Sequence, residues 1–124
     1  MKLEILTRTF AACKLKDVPP GTVGGEFVFF ARTDNEISLV CEEPFIPRDV
    51  IAAERGWRAI RVAGRLDFSL VGVLGGILNV LAETSVSVFA VSTYDTDYIL
   101  IKDDKLDAAA AALAGAGHTV QRGG

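Results

Sequence analysis

The fold of this chain is decided by residues 86–102, VSVFAVSTYDTDYILIK. Both ends of this stretch are rich in β-branched, aromatic and other apolar residues, which favour buried strands. Between them lies a polar segment that holds two Thr and two Asp. The pattern predicts a β-hairpin, and its polar tip is either an ordinary solvated turn or one wall of a binding site.

Segments with helical patterns lie on both sides of this hairpin. The segment before it carries apolar residues at helical spacing, namely Leu70, Leu74, Ile77 and Leu81. Asp67 or Ser69 could accept the free N–H groups of its first turn. The segment after it, residues 103–117, begins with acidic residues, continues as an alanine run and ends at glycines. Residues 57–66 and 118–121 fit strands, so the predicted order is strand, helix, strand, strand, helix, strand.

The first half of the chain repeats this pattern. Residues 27–43, FVFFARTDNEISLVCEE, again contain an apolar strand, a polar turn that begins at a threonine, a second apolar strand and an acidic end. Thr33 holds the place that Thr93 has in the second half. Upstream, residues 14–25 and 64–76 each contain a leucine, then an aspartate, then a glycine-rich stretch. Two matching units at this spacing indicate a duplication.

The first copy differs from the second before its hairpin. Pro19, Pro20 and the glycines that follow argue against a helix there, so we expect a loop in its place. Residues 47–55 are predicted to form the remaining helix of this copy, with a proline at an early position and Gly56 as the stop.

These elements predict an α+β fold of tandem ferredoxin-like units, each of βαββαβ order with an antiparallel sheet and helices on one face. The first unit is expected over residues 1–60 and lacks its first helix, and the second is expected over residues 61–124. The strand at residues 57–66 could close the first unit, open the second, or do both.

Composition excludes several classes of function. Half of the residues are hydrophobic, and a net charge of −3 with a pI near 5.1 gives no electrostatic reason to expect nucleic acid or an acidic membrane as partner. The charged first ten residues do not fit a signal peptide, and the apolar segment at 70–82 is too short to span a bilayer. We therefore expect a cytoplasmic protein. Cys13 and Cys41 lack metal-site spacing and are expected to be buried reduced thiols.

No pattern of a catalytic or metal site is evident. The single histidine, His118, has no acid beside it in sequence, and the nucleophile-elbow, zinc-protease and P-loop motifs are absent. Asp67, Asp95 and Asp97 match no known ion-binding loop. The arginines before and along residues 57–66 are expected to be solvated or salt-bridged rather than a phosphate-binding stripe: Arg55, Arg58, Arg61 and Arg65. The sequence predicts no enzyme, no metal and no cofactor.

The glycines at the start of the predicted helix have two explanations. Glycine in a helix costs about 1 kcal/mol relative to alanine, and Gly72, Gly75 and Gly76 repeat that cost. Close packing of the helix would explain it. Access would explain it equally, because a small residue lets a ligand or a partner chain reach the unpaired N–H groups of the first turn, which favour a carboxylate.

The residues 66–77, LDFSLVGVLGGI, followed by VSVFAVST and a returning strand, resemble the ACT domain. The tandem arrangement is similar to small bacterial two-ACT proteins, which are related to the regulatory domains of aspartate kinases and to cytosolic arginine sensors. The resemblance covers residues 57–122 specifically and residues 11–56 more loosely. It implies a ferredoxin-like fold that associates in pairs and binds amino acids or other small effectors.

The resemblance also implies site residues. The family's effector loop falls on Asp67, Phe68, Ser69, Leu70, Val71, Gly72 and Val73. Its second strand falls on Ser92, Thr93 and Tyr94, and the acid of the sensor-type members falls on Asp97. Backbone amides near Gly72 would hold the effector's carboxylate, Asp67 and Asp97 would complement its ammonium, and Phe68 and Tyr94 would be apolar walls. Many ACT domains have a proline where this chain has Val71, so the identity of the effector does not carry over.

The sequence thus predicts a non-catalytic regulatory or sensor module for an amino acid, a homodimer, whose regulated target is a separate protein. The alternative is a dimerising interaction scaffold that has lost ligand binding. Asp95 and Tyr98 fit a solvated turn acid and a strand-packing residue, and Asp97 fits either a site residue or an acid paired with an arginine.

Overall fold

The structure, a computed structural model, describes residues 1–64 and 72–123. In chain order the elements are β1 (Lys2–Ile5), β2 (Phe10–Leu15), β3 (Val28–Arg32), β4 (Ile37–Glu42), β5 (Val50–Val62), α1 (Val73–Glu83), β6 (Val88–Ser92), β7 (Asp97–Lys102), α2 (Leu106–Gly115) and β8 (Thr119–Arg122), with single 3₁₀ turns at Glu43–Phe45 and Asp103–Lys105.

The chain divides into two compact units. The N-terminal unit is Arg8–Trp57, and the C-terminal unit combines Met1–Thr7 with Arg58–Gly124. The strand expected at 57–66 is the second part of β5 and opens the C-terminal unit, whereas the first part of β5 belongs to the N-terminal unit. The first seven residues, which the predicted boundary at residue 60 assigns to the first unit, thus lie in the second.

The C-terminal unit has the predicted order of strands and helices, with one additional strand. Its strands are ordered β6-β7-β5-β1-β8. The additional strand is β1, which runs antiparallel to β5 and parallel to β8. Leu3 lies opposite both Val62 and Val120, so the N-terminal strand stands between the two strands that would otherwise be neighbours. The α+β, ferredoxin-like fold class is confirmed.

The core of the C-terminal unit lies between this sheet and its two helices. The predicted spacing is confirmed for α1, because Ile77 and Leu81 are fully buried and Leu74 packs against them. They meet alternate residues of the central strands: Leu3, Ile5, Ile60, Val62, Ile99 and Ile101. Leu106, Ala109 and Leu113 of α2 complete the cluster at the helical repeat.

The N-terminal unit is a sheet ordered β3-β4-β2-β5 without any α-helix. The helix predicted over 47–55 is wrong, because this segment enters β5 at Val50 and pairs with β2, Leu15 lying opposite Val50 and Cys13 opposite Ala53. Backbone pairing with a formed neighbouring strand outweighs the weak helical preference of Ala-Ala-Glu-Arg. This unit therefore lacks both helices rather than only the first.

Gly56, predicted as a helix stop, instead lies inside β5. Its φ of 84° is left-handed, and its N–H donates to Glu43 Oε2 at 2.7 Å. Between Phe10–Trp57 and Ala12–Glu54, β5 has one more residue than β2, so the strand carries a bulge here. Glycine is favoured at such a position because it adopts a positive φ without strain.

The two hairpins repeat each other in detail. β3 has the same length as β6, and β4 has the same length as β7. Each strand of the second hairpin also follows its counterpart in the first by the same number of residues. Each turn is closed by a threonine N–H, that of Thr33 donating to Glu36 O and that of Thr93 donating to Thr96 O, both at 2.9 Å. The alignment of Thr33 with Thr93 that the sequence suggests is therefore also an alignment in structure.

The cysteines are buried free thiols, as predicted. Burial raises the pKa of Cys41 to about 12, and the neighbouring Cys13 adds to that shift. Burial also raises the pKa of Cys13. Both thiols therefore stay protonated near neutral pH. In the ranges 1–64 and 72–123, no helix is long and apolar enough to cross a membrane, and no three potential metal ligands cluster.

Candidate functional site

The tip of the β6–β7 hairpin is fastened to the end of β5. Thr96 is buried, and its Oγ1 donates to the carbonyl oxygen of Val62 at 2.7 Å. Thr93 closes the turn, since its Oγ1 and its N–H both donate to Thr96 O. The turn is thus held at the point where the chain leaves β5 for the predicted effector loop.

Asp97 begins β7, directly opposite Ser92, the last residue of β6. Ser92 Oγ donates to Asp97 Oδ1 at 2.6 Å, which orients the half-buried carboxylate. Strand alternation puts Asp97 on the same sheet face as Ile99 and Ile101, the face that α1 and α2 cover. Among the described residues, no lysine or arginine forms an ion pair with Asp97.

The arginines of β5 have partners of their own. Arg58 pairs with Asp103 at 3.2 Å and donates to the carbonyl oxygen of Leu6. Arg61 pairs with Glu4 at 3.2 Å and lies over the ring of Tyr98, and the hydrogen bond with Tyr98 is the main cause of its raised pKa. For these two arginines, the expectation of salt-bridged positions is confirmed.

Helix α1 begins at Gly72, whose φ of 82° is left-handed and which offers no side-chain cap. The first helical hydrogen bond runs from Gly76 N–H to Gly72 O at 2.8 Å. In a helix that starts here, the N–H groups of Val73, Leu74 and Gly75 precede the first intrahelical donor. Among the described residues none of these N–H groups has an acceptor outside the helix, and the helix dipole favours an anionic one.

The glycines at this helix start are not required by packing inside the described chain. A Cβ added at Gly72, Gly75 or Gly76 would meet no described atom within 4 Å. All three are exposed. Close packing against described residues therefore does not explain these glycines. Their exposure is compatible with the other explanation, in which a ligand or a partner chain reaches the first turn.

The remaining site predictions fall into two groups. Tyr94 is 70% exposed at the hairpin tip, and Tyr98 is half-buried against Arg61, as expected for a strand-packing residue. Five residues of the predicted loop lie outside the described residues: Asp67, Phe68, Ser69, Leu70 and Val71. No hydrogen bond within the described ranges joins Gly72 or Val73 to the hairpin.

Thr96 is the residue that sequence reasoning missed. It is buried although it stands in a polar turn, and its hydroxyl joins the hairpin tip to the end of β5 through the hydrogen bond to Val62 O. A signal was present, because Glu36 occupies the same place in the first hairpin, where it is exposed. The change from a charged residue to threonine marks the one position of this turn that has become buried, while residues 93–95 stay exposed.

The single histidine, His118, lies directly before β8. It follows α2, where burial lowers its pKa and a hydrogen bond to the backbone of Met1 partly opposes that shift. Within the described residues, the buried Nδ1 of the ring has no hydrogen-bond partner.

We expect Gly72→Val to abolish effector binding and to lower the free energy of unfolding by about 1–2 kcal/mol, the cost of a left-handed conformation for an L residue. The strain arises in the backbone, because the site itself has room for a side chain. Gly72→Asn is the matched variant, since asparagine tolerates this conformation and still covers the first turn. Calorimetric titration and thermal melts of both variants test this, and undiminished binding by Gly72→Asn would contradict a role for this helix start.

Comparison with known proteins gives a family match and several structural relatives. A family model described as the ACT domain matches residues 52–115. A crystal structure from Agrobacterium tumefaciens is 32% identical, has a TM-score of 0.89, and is matched over 99% of this chain and 93% of that chain. The aspartate kinase of Synechocystis is 19% identical with a TM-score of 0.66, over 96% of this chain and 27% of the kinase, which shows a shared fold.

A curated relative from Bos taurus is the cytosolic arginine sensor for mTORC1 subunit 1. It is 27% identical over 92 residues, which cover 68% of this chain. The match spans 28% of the length of the bovine protein.

Proposed function

This chain belongs to the ACT-domain family, whose members are typically small-molecule-binding regulatory modules, and on that premise we propose that it is a non-catalytic sensor of an amino acid. ACT domains are regulatory modules rather than catalytic ones. A bound amino acid would need donors for its carboxylate, an acid for its cationic group and a surface for its side chain.

The observation that carries the proposal is the environment of the Asp97 carboxylate. Its carboxylate is half-buried and oriented by Ser92, and no cation of the described chain neutralises it. A partly desolvated carboxylate is stabilised by a cationic partner. An ammonium or guanidinium group of a ligand supplies that partner.

The start of α1 also supports the proposal, because its positive dipole end complements the ligand's carboxylate as Asp97 complements the cationic group. The unpaired N–H groups that follow Gly72 and the positive end of the helix dipole favour a carboxylate, and exposed glycines leave them accessible. In the proposed complex the ligand's carboxylate lies at this helix start and its cationic group lies at Asp97. Asp67 to Val71 would complete the site, with Thr93 and Tyr94 at its rim.

Arginine is the first candidate ligand. It carries a carboxylate, an ammonium and a guanidinium, and the guanidinium forms two parallel bonds with a carboxylate. The bovine relative is named as an arginine sensor. With the bovine protein named as cytosolic, we propose a cytoplasmic location for this chain as well, and a separate protein as the target that it regulates.

A thermal-shift screen with single amino acids tests the proposal. A ligand that binds only the folded state adds RT ln(1 + [L]/Kd), about 2.7 kcal/mol at 100 times its Kd. Arginine is expected to raise the melting temperature, and citrulline, which is neutral at the guanidinium position, is expected to raise it less. A panel that shifts nothing would favour the alternative of a scaffold without a ligand.

The scaffold alternative has an observation in its favour, which is the edge strand β3. Of the described strands it pairs only with β4, and Val28 and Phe30 on it are 40% and 47% exposed. An exposed apolar edge strand invites pairing with another chain. We propose that two copies associate through this edge as a homodimer, with or without a ligand.

We expect sedimentation at micromolar concentrations to show a dimer, and Ala31→Lys to shift the chain towards the monomer. Ala31 is exposed in β3, and a lysine on an edge strand opposes pairing between chains. Lys14→Arg on the interior strand β2 is the matched control, since it keeps the charge and should stay dimeric. A parent chain that sediments only as monomer, with arginine present, would contradict the prediction.

A further inference from the structure

The N-terminal unit contains a cleft that the proposed sensor site does not use. It has a volume of about 650 Å³ and lies between the loop that follows β2 and the segment between β4 and β5. Leu15, Val23, Phe45 and Pro47 are among its apolar walls. Small-molecule sites typically have volumes of about 300–1,000 Å³ and mostly apolar walls.

The cleft is lined by connecting segments, in a unit that has no α-helix. The sheet face that carries Cys13, Leu39 and Cys41 is covered instead by Val23 and Ile46 from the two connecting segments. The cleft lies between these two segments, beside Val23 and at the end of β2.

The loop over the cleft is held in place by specific contacts. The N–H groups of Glu26 and Phe27 donate to Glu42 Oε2 at 2.6 and 3.1 Å. A Cβ added at Gly24 would collide with the ring of Phe45, so the loop lies directly against that ring. The walls of the cleft are thus positioned by a buried carboxylate and a close contact, which makes it a formed site.

The polar groups at the cleft are balanced in charge. Lys16 and Arg48 are cationic, and Asp17 and Asp49 are anionic. The whole N-terminal unit is described, and within the described residues none of these four side chains forms a hydrogen bond or an ion pair. Their charges are therefore free to meet a ligand.

A smaller cavity of about 230 Å³ shares Val18, Pro19 and Val23 with the cleft. The rest of its lining, which includes Val28, Phe30 and Leu39, is apolar as well. An apolar cavity that could hold a hydrocarbon side chain thus adjoins the charged cleft.

We propose that this cleft is a second ligand site, which takes a zwitterion with an apolar side chain, such as leucine or phenylalanine. Lys16 and Arg48 pair with the carboxylate, and Asp17 and Asp49 pair with the ammonium. The apolar side chain packs among Val23, Phe45 and the neighbouring walls. A multivalent anion is disfavoured because two carboxylates border the same space.

The test is a titration of the isotope-labelled full chain with leucine and with phenylalanine, followed by backbone amide NMR signals. At millimolar ligand, we expect the shifts to concentrate at residues 16–24 and 45–49. Two leucine analogues, 4-methylpentanoate without the ammonium and 3-methylbutylamine without the carboxylate, should bind at least about tenfold more weakly.

Two kinds of variant make the outcome decisive. Thr22→Trp should fill the cleft, and the pair Lys16→Gln with Arg48→Gln should remove its cations, each with a loss of the shifts at 16–24 and a retained fold. Asp97→Asn should leave these shifts unchanged, which separates this site from the arginine site proposed above. Absence of shifts at 16–24 and 45–49 with both amino acids, or equal binding by Thr22→Trp and the parent, would overturn the proposal.

Discussion

Asp97→Asn is expected to weaken binding of the cationic amino acid by about 1.5–3 kcal/mol, the range of a hydrogen bond to a charged group, without destabilising the free protein. The reason is the surroundings of the carboxylate. It accepts a hydrogen bond from Ser92 and has no cationic partner among the described residues, so the neutral amide removes an uncompensated charge. Melts of the free variant should therefore match or exceed those of the parent.

The matched control is Asp95→Asn, an exposed acid of the same turn. It changes the net charge equally and should leave the affinity within a few tenths of a kcal/mol, because exposed charges are screened. Ser92→Ala should weaken binding less than Asp97→Asn, since it removes only the group that orients the carboxylate. Calorimetric titrations and melts measure both effects. An Asp97→Asn protein that melts early and binds with parental affinity would remove Asp97 from the site.

Glu42→Ala is expected to lower the free energy of unfolding by about 3 kcal/mol, the lower end of the range for a broken buried ion pair. The side chain of Glu42 is only 8% exposed, and its carboxylate accepts two backbone N–H groups and pairs with Arg8 at 3.3 Å. Alanine leaves those two N–H groups and the Arg8 guanidinium without this acceptor. Denaturant unfolding measures the loss.

Glu42→Gln separates the two contributions. Its amide oxygen can still accept from Glu26 and Phe27, so the loss should be smaller than for alanine and should report the ion pair with Arg8. Glu26→Gln is the matched surface control, because the Glu26 side chain that also pairs with Arg8 is 69% exposed and should contribute less than about 1 kcal/mol. Equal stabilities of Glu42→Ala and Glu26→Gln would contradict the structural role of Glu42.

The sequence by itself determined the elements of residues 86–122, because their patterns are local. The hairpin is predicted by two apolar strands with a polar turn between them, and the helix by an alanine run that ends at glycines. Each of these patterns can be recognised within a few neighbouring residues. The helical spacing of Leu74, Ile77 and Leu81 also had only one consistent interpretation. Resemblance to the ACT domain added the candidate site, of which Gly72 and the hairpin residues are described and Asp67 to Val71 are not.

The tertiary structure decided what depends on pairing between distant residues. Residues 50–55 form a strand because β2 lies beside them and pairs with them. β1 lies between β5 and β8 because its backbone pairs with both strands and its apolar residues, Leu3 and Ile5, enter the core. The sequence also did not predict that Ser92 bonds to Asp97, that Thr96 is buried, or that Glu42 accepts hydrogen bonds from two backbone N–H groups. Local preference is worth a few tenths of a kcal/mol per residue, whereas a completed row of hydrogen bonds and buried side chains is worth several times more.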